Sequence, residues 1–158
     1  MSSKLKAIKT LKEQYYELLN DPILSLGVTV GLKKEGDLFH WNISLLGPQD
    51  TPYGGGLFFL TADFPESFPD DPPEVKFKNQ MYHLNVDPDN GHICINTLNY
   101  WKKETRMTTV ISDIFALFYI QNPKSPYNSD MAKEYVNNRS EFDRKAKEWT
   151  QKYASMEN

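Results

Sequence analysis

The pattern of apolar residues divides the chain into a helical beginning, a middle of strands and a helical end. Over residues 4–19, apolar residues recur at spacings of three and four, which predicts an amphipathic helix. These residues are Leu5, Ile8, Leu11, Tyr15, Leu18 and Leu19. Ser2 or Ser3 can cap the start of this helix, and Asn20-Asp21-Pro22 can end it. Its polar face carries Lys4, Lys6, Lys9 and Lys12.

Apolar segments in the middle of the chain predict four β-strands. The predicted strands are residues 28–32, 39–45, 57–64 and a segment that starts at 75–77. The second of them alternates strictly between apolar and polar residues, and Gly36-Asp37 and Gly47-Pro48 mark turns on either side. Because the connections are short, we expect an antiparallel sheet in which strands that are neighbours in sequence pair.

Two segments lack a regular pattern. Residues 65–73 contain four prolines, which cannot donate to a sheet, so this segment is predicted to be an ordered loop. Residues 79–107 form a long stretch without a clear period and contain the turn signal Asp89-Asn90-Gly91. Long loops inside compact domains often carry function.

Three further helices are predicted after this stretch. They cover about residues 109–119, 130–136 and 141–153, and Ser140 can cap the last one. The order of helix, strands and helices predicts an α+β fold. The length of 158 residues fits one domain, which we place at residues 1–158.

Composition argues against several classes of function. The net charge of -3 gives no general basic field for nucleic acid. No apolar run approaches the ~20 residues that span a bilayer, and the amino terminus lacks the apolar stretch of a secretory signal, so we expect no membrane partner. The chain has 1 cysteine, which allows no internal disulfide. A cytoplasmic or nuclear location is therefore the default expectation.

The single cysteine, Cys94, is the first candidate for chemistry. Taken alone, a cysteine is more often an inert small apolar residue than a nucleophile. Cys94 lies in the irregular stretch, where it can stay exposed as a nucleophile requires. A cysteine protease is one interpretation, with His83 or His92 as the base, but no segment resembles an oxyanion loop joined to a helix start.

Short motifs then occur in a fixed order along the whole chain. They are Phe39-His40-Trp41, Gly47-Pro48, Thr51-Pro52-Tyr53-Gly54-Gly55-Gly56, Phe64-Pro65, Pro72-Pro73, Tyr82-His83-Leu84-Asn85, Ile93-Cys94 and Trp101-Lys102. Each motif is weak alone, but the ordered set resembles the catalytic domain of ubiquitin-conjugating enzymes, from about Lys4 to Ala154. The tail Glu148-Trp149-Thr150-Gln151-Lys152-Tyr153-Ala154 resembles that of ubiquitin-transferring members.

The resemblance implies both a fold and a reaction. The fold is an amino-terminal helix, a four-stranded antiparallel sheet and carboxy-terminal helices. In the reaction, an activating enzyme loads ubiquitin onto the cysteine as a thioester, and a substrate lysine, usually held by a ligase, attacks that thioester. The family binds no metal and no cofactor, because the activating enzyme uses ATP upstream. The partners implied are ubiquitin or a ubiquitin-like protein, the activating enzyme, a ligase and protein substrates.

The resemblance also assigns roles to individual residues. Cys94 carries the thioester, and Asn85 steadies the oxyanion or holds the loop that shapes the site. His83 is structural, and Tyr82 packs beneath it. Lys4, Lys6 and Lys9 lie where the family docks its activating enzyme, although a solvated lysine face is the default interpretation. Pro69 and Asp70 lie in the proline-rich loop that normally meets ligases.

Three positions separate this chain from many members of the family, and a fourth bears on the choice of modifier. Leu84 stands where the family's His-Pro-Asn motif has a proline. A proline there would stiffen the backbone before Asn85. Ser125 stands where many members carry an acidic residue, and serine cannot supply a negative charge to a lysine. Asp70 replaces an aromatic residue, and Asn96 also occurs in members that serve another modifier. Two alternatives follow: a conjugating enzyme for another modifier, or a catalytically weak variant that binds an active relative.

Overall fold

The computed structural model describes residues 2–156. Its helices are α1 (Ser3–Leu19), α2 (Asn96–Asn99), α3 (Met107–Ala116), α4 (Ser129–Asn137) and α5 (Arg139–Tyr153). Its strands are β1 (Val28–Leu32), β2 (His40–Leu46), β3 (Leu57–Asp63) and β4 (Glu74–Phe77). A short 3₁₀ helix at Pro22–Leu26 joins α1 to β1. The predicted α+β order of helix, four strands and helices is confirmed.

The four strands form one antiparallel sheet in the order β1-β2-β3-β4. The alternation along β2 decides which face is buried, because successive side chains point to opposite sides of a strand. Trp41, Ile43 and Leu45 are buried in the core. β2 begins and ends one residue later than predicted, so Phe39 lies just before the strand and packs partly buried against the core.

Helix α1 packs against α3 and the core with one face and exposes its lysines on the other. Its buried residues are Ala7, Leu11, Gln14 and Leu18, and Ser2 caps its start by accepting from the backbone N–H of Leu5. The prediction that Leu5 faces inward is wrong, since its side chain is 57% exposed. Leu5 precedes Ala7 by two residues, which at about 100° per residue places it on the opposite side of the helix.

The carboxy-terminal helices begin earlier than the sequence pattern indicates. Helix α3 starts at Met107, whose backbone N–H donates to the buried side chain of Gln14 on α1, 2.8 Å away. Helix α5 starts at Arg139 and is capped by Asn138, whose side chain accepts from the N–H of Glu141. The prediction that Ser140 caps this helix is therefore wrong, because Ser140 lies within its first turn.

The long stretch without a period is held by backbone hydrogen bonds to the sheet and to itself. Gly91 accepts from the N–H of Phe77 on β4, 2.9 Å away, and has a φ of 78°. A Cβ there would lie 1.9 Å from the carbonyl oxygen of Phe77, so only glycine fits. Val86 and Ile93 form an isolated antiparallel bridge. This turn brings the residues before it and after it side by side.

Candidate active site

Cys94 lies directly after this turn and shortly before α2. Its backbone N–H donates to the carbonyl oxygen of Asn85, 2.8 Å away. Its Sγ accepts from Nδ2 of Asn99 at 3.3 Å. The side chain is partly exposed and lines a shallow cavity of about 240 Å³. The same cavity is lined by Asp113 on α3 and by Asn122 and Ser125. Hydrogen bonds thus hold the backbone and the sulfur of Cys94 in place, while the thiol stays accessible to solvent.

Asn85 is completely buried beside Cys94 and uses its whole side-chain amide. Its Nδ2 donates to the carbonyl oxygens of Asn122 at 3.0 Å and Ser125 at 3.1 Å. Its Oδ1 accepts from the N–H of Asn122 at 2.8 Å. An amide nitrogen has two hydrogens, and both are occupied here. Asn85 therefore ties the segment that carries Cys94 to the segment 122–125 that forms the opposite wall of the cavity.

His83 is buried and neutral, and it orders the backbone around it. Its Nε2 donates to the carbonyl oxygen of Leu117 at 2.8 Å, and its Nδ1 accepts from the N–H of Asn85 at 3.0 Å. Burial lowers the pKa of His83 to about 4. Both ring nitrogens are engaged with backbone, so His83 has no free nitrogen to serve as a base.

The other two histidines pair with carboxylates. His40 meets Asp63 at 2.6 Å, and His92 Nε2 lies 3.6 Å from Glu74. Across residues 2–156, no histidine nitrogen forms a hydrogen bond with Cys94. The structure thus offers no support for a cysteine–histidine protease.

Leu84, which replaces the proline of the family motif, is held by hydrogen bonds instead of by a ring. Its backbone N–H donates to Oε1 of buried Gln121 at 2.8 Å, and its carbonyl oxygen accepts from the N–H of Tyr127 at 2.9 Å. Gln121 also donates through Nε2 to the hydroxyl of Tyr53, which donates in turn to the carbonyl oxygen of Tyr82. The N–H that proline would lack therefore has a dedicated partner, and the backbone before Asn85 stays fixed.

Tyr82 occupies a different place from the one expected. Its ring packs against Phe142 and Trp149 on α5, and its hydroxyl donates to Glu134 on α4 at 2.6 Å. Burial and the neighbouring carboxylate raise the pKa of Tyr82. The aromatic ring found against His83 is that of Tyr53, with ring centres 5.7 Å apart. Tyr82 thus anchors the carboxy-terminal helices to the motif.

The comparison with known families decides the assignment of the fold. The family model described as ubiquitin-conjugating enzyme matches residues 10–150. The chain belongs to the ubiquitin-conjugating enzyme family.

Two solved structures resemble this family member over nearly its whole length. One is the crystal structure of a candidate ubiquitin conjugating enzyme from Plasmodium yoelii, with 28% identity and a TM-score of 0.82. That alignment covers 95% of this chain and 96% of the other. The second is the E2 domain of a Toxoplasma gondii ubiquitin conjugating enzyme, with 29% identity, a TM-score of 0.78, and coverage of 93% and 98%.

The positions predicted to bind partners of the conjugating enzyme form one surface. Lys6, Lys9, Pro69 and Asp70 line a groove of about 590 Å³ between α1 and the proline-rich loop. Lys4 lies 3.7 Å from Glu66 in that loop. The Trp101 indole donates to the carbonyl oxygen of Pro69 at 2.8 Å, and its ring packs against Phe68. This surface contains both signs of charge, since Glu13, Glu66 and Asp70 also line the groove.

The structure brings three residues to the conjugating enzyme's cavity region that the sequence analysis did not single out. Asn99 follows Cys94 by five residues, and the short helix α2 between them brings its side chain back to the Cys94 sulfur. Asp113 is a polar residue inside an apolar helix, which is a visible signal in the sequence. Burial raises the pKa of Tyr127, and negative charge at Cys94 and Asp87 raises it further. None of the three belongs to a motif that a resemblance could transfer.

The conjugating enzyme shows no membrane-crossing element within residues 2–156, where no helix is both long and apolar enough.

Proposed function

We propose that the chain accepts ubiquitin from an activating enzyme as a thioester on Cys94 and transfers it to a substrate lysine, usually with a ligase. The observation that carries the proposal is the placement of Cys94. The sole cysteine of a member of this family lies partly exposed in a cavity whose walls are tied together by a buried asparagine. The carboxy-terminal tail supports ubiquitin as the modifier over a relative of ubiquitin.

Two acyl transfers make up this reaction. In loading, the Cys94 thiolate attacks the thioester carbonyl carbon of ubiquitin on the activating enzyme, and that enzyme's thiolate leaves. In discharge, the lysine nitrogen attacks the new thioester, the carbon–sulfur bond breaks, and the Cys94 thiolate takes up a proton. Sulfur suits the carrier role because a thiolate is both a good nucleophile and a good leaving group. No metal or nucleotide is needed at this step, since ATP is consumed upstream.

The residues around Cys94 divide the remaining work. Asn85 holds the segment 122–125 in place, which is the second of the two roles expected for it, because both hydrogens of its amide already donate to that segment. His83 orders the backbone at Asn85. Ser125 is exposed at the rim of the cavity, where its hydroxyl can orient an incoming amine.

The surface that joins α1 to the proline-rich loop supplies the partner contacts in this proposal. Lys4, Lys6 and Lys9 meet the activating enzyme, and Pro69 and Asp70 meet ligases. Substrate proteins reach Cys94 from the open side of the cavity. A cytoplasmic or nuclear setting fits this chemistry because thiols stay reduced there.

A loading assay with a Cys94→Ser variant tests the proposal. Wild type is mixed with activating enzyme, ATP and ubiquitin, and we expect a mass gain of one ubiquitin that a thiol reductant removes. In the variant, the adduct should become an ester that resists the reductant, because oxygen replaces sulfur. A reductant-sensitive adduct on the variant would show that Cys94 is not the carrier.

The same assay separates the two alternatives. If wild type loads a ubiquitin-like modifier but not ubiquitin, Asn96 rather than the tail is the better guide to the modifier. If it loads no modifier at all, the result favours the alternative of a catalytically weak variant that binds an active relative.

A further inference from the structure

Helix α3 carries one carboxylate, Asp113, at the cavity of Cys94. The buried residues of this helix are apolar, and they are Met107, Val110, Ile111 and Ile114. Asp113 is half-buried and lines the cavity together with Cys94, Asn122 and Ser125. Within residues 2–156, no hydrogen bond or ion pair engages its carboxylate. A half-buried carboxylate without a partner beside a nucleophile requires a reason.

The helix itself does not gain from this aspartate. Asp113 begins the last turn of α3, which ends at Ala116. A negative charge near the carboxy-terminal end of a helix is opposed by the helix dipole. Aspartate is also among the poorer helix formers. The carboxylate therefore lowers the stability of the element that carries it, which points to a role in what the cavity receives.

The incoming group in lysine transfer is an ammonium ion. Free lysine has a pKa of ~10.4, so nearly all of it is protonated near neutral pH. At the position where the resemblance places an acidic residue, this chain has Ser125, whose hydroxyl is neutral. The next residue, Lys124, adds a positive charge that repels an ammonium. Asp113, on helix α3, is the carboxylate that lines the same cavity as Ser125.

We propose that Asp113 binds the ammonium group of the incoming lysine and positions its nitrogen against the Cys94 thioester, in place of an acidic residue at position 125. This inference rests on the proposed function. In the balanced step, the bound ammonium first passes one proton to the Asp113 carboxylate, which releases it to water. The free amine attacks the thioester carbonyl carbon, the carbon–sulfur bond breaks, and the second proton passes to the Cys94 thiolate. The products are an amide, a thiol and one released proton.

Single-turnover discharge of preloaded enzyme tests this role. Ubiquitin is loaded on Cys94, ATP is removed, and decay of the thioester is followed over a series of lysine concentrations at pH 7. We expect Asp113→Asn to lower the rate about three- to tenfold at low salt, mainly through weaker apparent lysine binding. The difference in rate between wild type and Asp113→Asn should be smaller at high salt, because salt screens the attraction between the carboxylate and the ammonium. Glu35→Gln, which removes an exposed carboxylate in the turn between β1 and β2, should match wild type.

A neutral nucleophile separates positioning from a structural effect. Hydroxylamine is uncharged near neutral pH, so Asp113→Asn should discharge to it at the wild-type rate. Thermal unfolding should show no loss of stability in Asp113→Asn, because the substitution removes a charge that the helix dipole opposes. If the rates with lysine and hydroxylamine fall equally, the carboxylate shapes the site and does not bind the ammonium, and the inference is overturned.

Restoring a carboxylate at position 125 gives a second test. Ser125→Asp in the Asp113→Asn background should recover most of the lost rate with lysine. Ser125→Asp alone should give a smaller gain at pH 7, because Asp113 already supplies the charge, and that gain should shrink as pH rises towards 9 and above. Equal gains in both backgrounds would overturn the inference by showing that the two positions act independently.

The outcomes distinguish this inference from the proposed function. If wild type forms no thioester, the proposed function fails and this inference fails with it. If wild type and Asp113→Asn load equally and discharge to lysine at equal rates, only the inference about Asp113 is overturned.

Discussion

At the scale of single residues, burial decides what each polar side chain near Cys94 can do. Asn85 and His83 are typical of catalytic groups by residue type, yet both are enclosed and fully hydrogen-bonded. Asp113 and Ser125 remain accessible at the cavity. The enclosed pair fixes the local backbone, and the accessible pair is open to a molecule that enters the cavity.

The buried neutral His83 makes stability depend on pH. Burial holds its pKa at about 4 in the folded state, against 6.5 in the unfolded chain. Between these two values the unfolded chain binds a proton that the folded protein does not, so stability falls as pH drops from 6.5 to 4. We expect a loss of roughly 3 kcal/mol over this window, at about 1.4 kcal/mol per pH unit. Urea unfolding at pH 7.5, 6 and 5 measures it.

Matched histidine variants assign this pH dependence. His83→Gln should be less stable than wild type at pH 7.5 but should lose less stability between pH 6.5 and 5. His92→Gln changes a half-exposed histidine and should keep the wild-type slope. A wild-type slope in His83→Gln would assign the titration to another group.

At the scale of elements, the site is a junction of three segments that lie far apart in sequence. Side-chain to backbone hydrogen bonds join the motif at residues 82–85 to residues 121–127. A backbone hydrogen bond from the N–H of Cys94 to the carbonyl oxygen of Asn85 adds the Cys94 segment. Gln121 is central, because it serves both Leu84 and Tyr53. Leucine at position 84 has a backbone N–H that proline would lack, and the side chain of Gln121 accepts its hydrogen bond. The backbone is held by a network that spans elements.

Asn85→Ala should break this junction. It removes three hydrogen bonds to backbone groups of Asn122 and Ser125, each worth roughly 0.5–1.5 kcal/mol. We expect most thioester formation to persist and discharge to free lysine to fall by about tenfold or more, because the wall that receives the amine loses its anchor. Discharge at the wild-type rate would limit Asn85 to a role in stability. Thermal unfolding and single-turnover discharge measure the two effects separately.

At the scale of the whole molecule, the Cys94 cavity and the groove proposed to meet partners are lined by different residues. The Cys94 cavity is lined by the carboxy-terminal half, while the groove of Lys6, Lys9, Pro69 and Asp70 lies between α1 and the proline-rich loop. The exposed lysines of α1 form a basic patch, although Glu66 and Asp70 lie across the groove and the net charge of the protein is -3. A basic patch of this kind favours a partner that is acidic where it meets α1.

Charge reversal on α1 tests whether this patch meets the activating enzyme. Lys6→Glu combined with Lys9→Glu should slow loading several-fold at low salt and less at high salt, because exposed charges are screened. Lys33→Glu combined with Lys34→Glu changes net charge equally in the exposed turn after β1 and should load normally. Initial rates of thioester formation at two ionic strengths measure the difference. Equal rates for the α1 variant and wild type at low salt would remove α1 from this contact.

The sequence by itself determined the elements and their order, and it supplied Cys94 as the candidate nucleophile. The alternation along β2 and the apolar spacing along α1 are local, so they can be read without the fold. The ordered motifs placed the chain in its family, and the family model confirms that assignment. The local pattern does not fix where an element ends. Helix α3 starts where the N–H of Met107 donates to Gln14 of α1, and that contact joins residues far apart in sequence.

Only the tertiary structure decided the contacts and burial of the residues around Cys94. A hydrogen-bond partner thirty or more residues away leaves no mark on local spacing, so the engagement of Asn85 with Asn122 and Ser125 was invisible in the sequence. The same holds for the ring beside His83, which is that of Tyr53 and not of Tyr82. In the sequence, Asp113 is one polar residue in an apolar helix, and only the fold shows that it lines the Cys94 cavity. Residue type and spacing supply candidates, and burial and distance select among them.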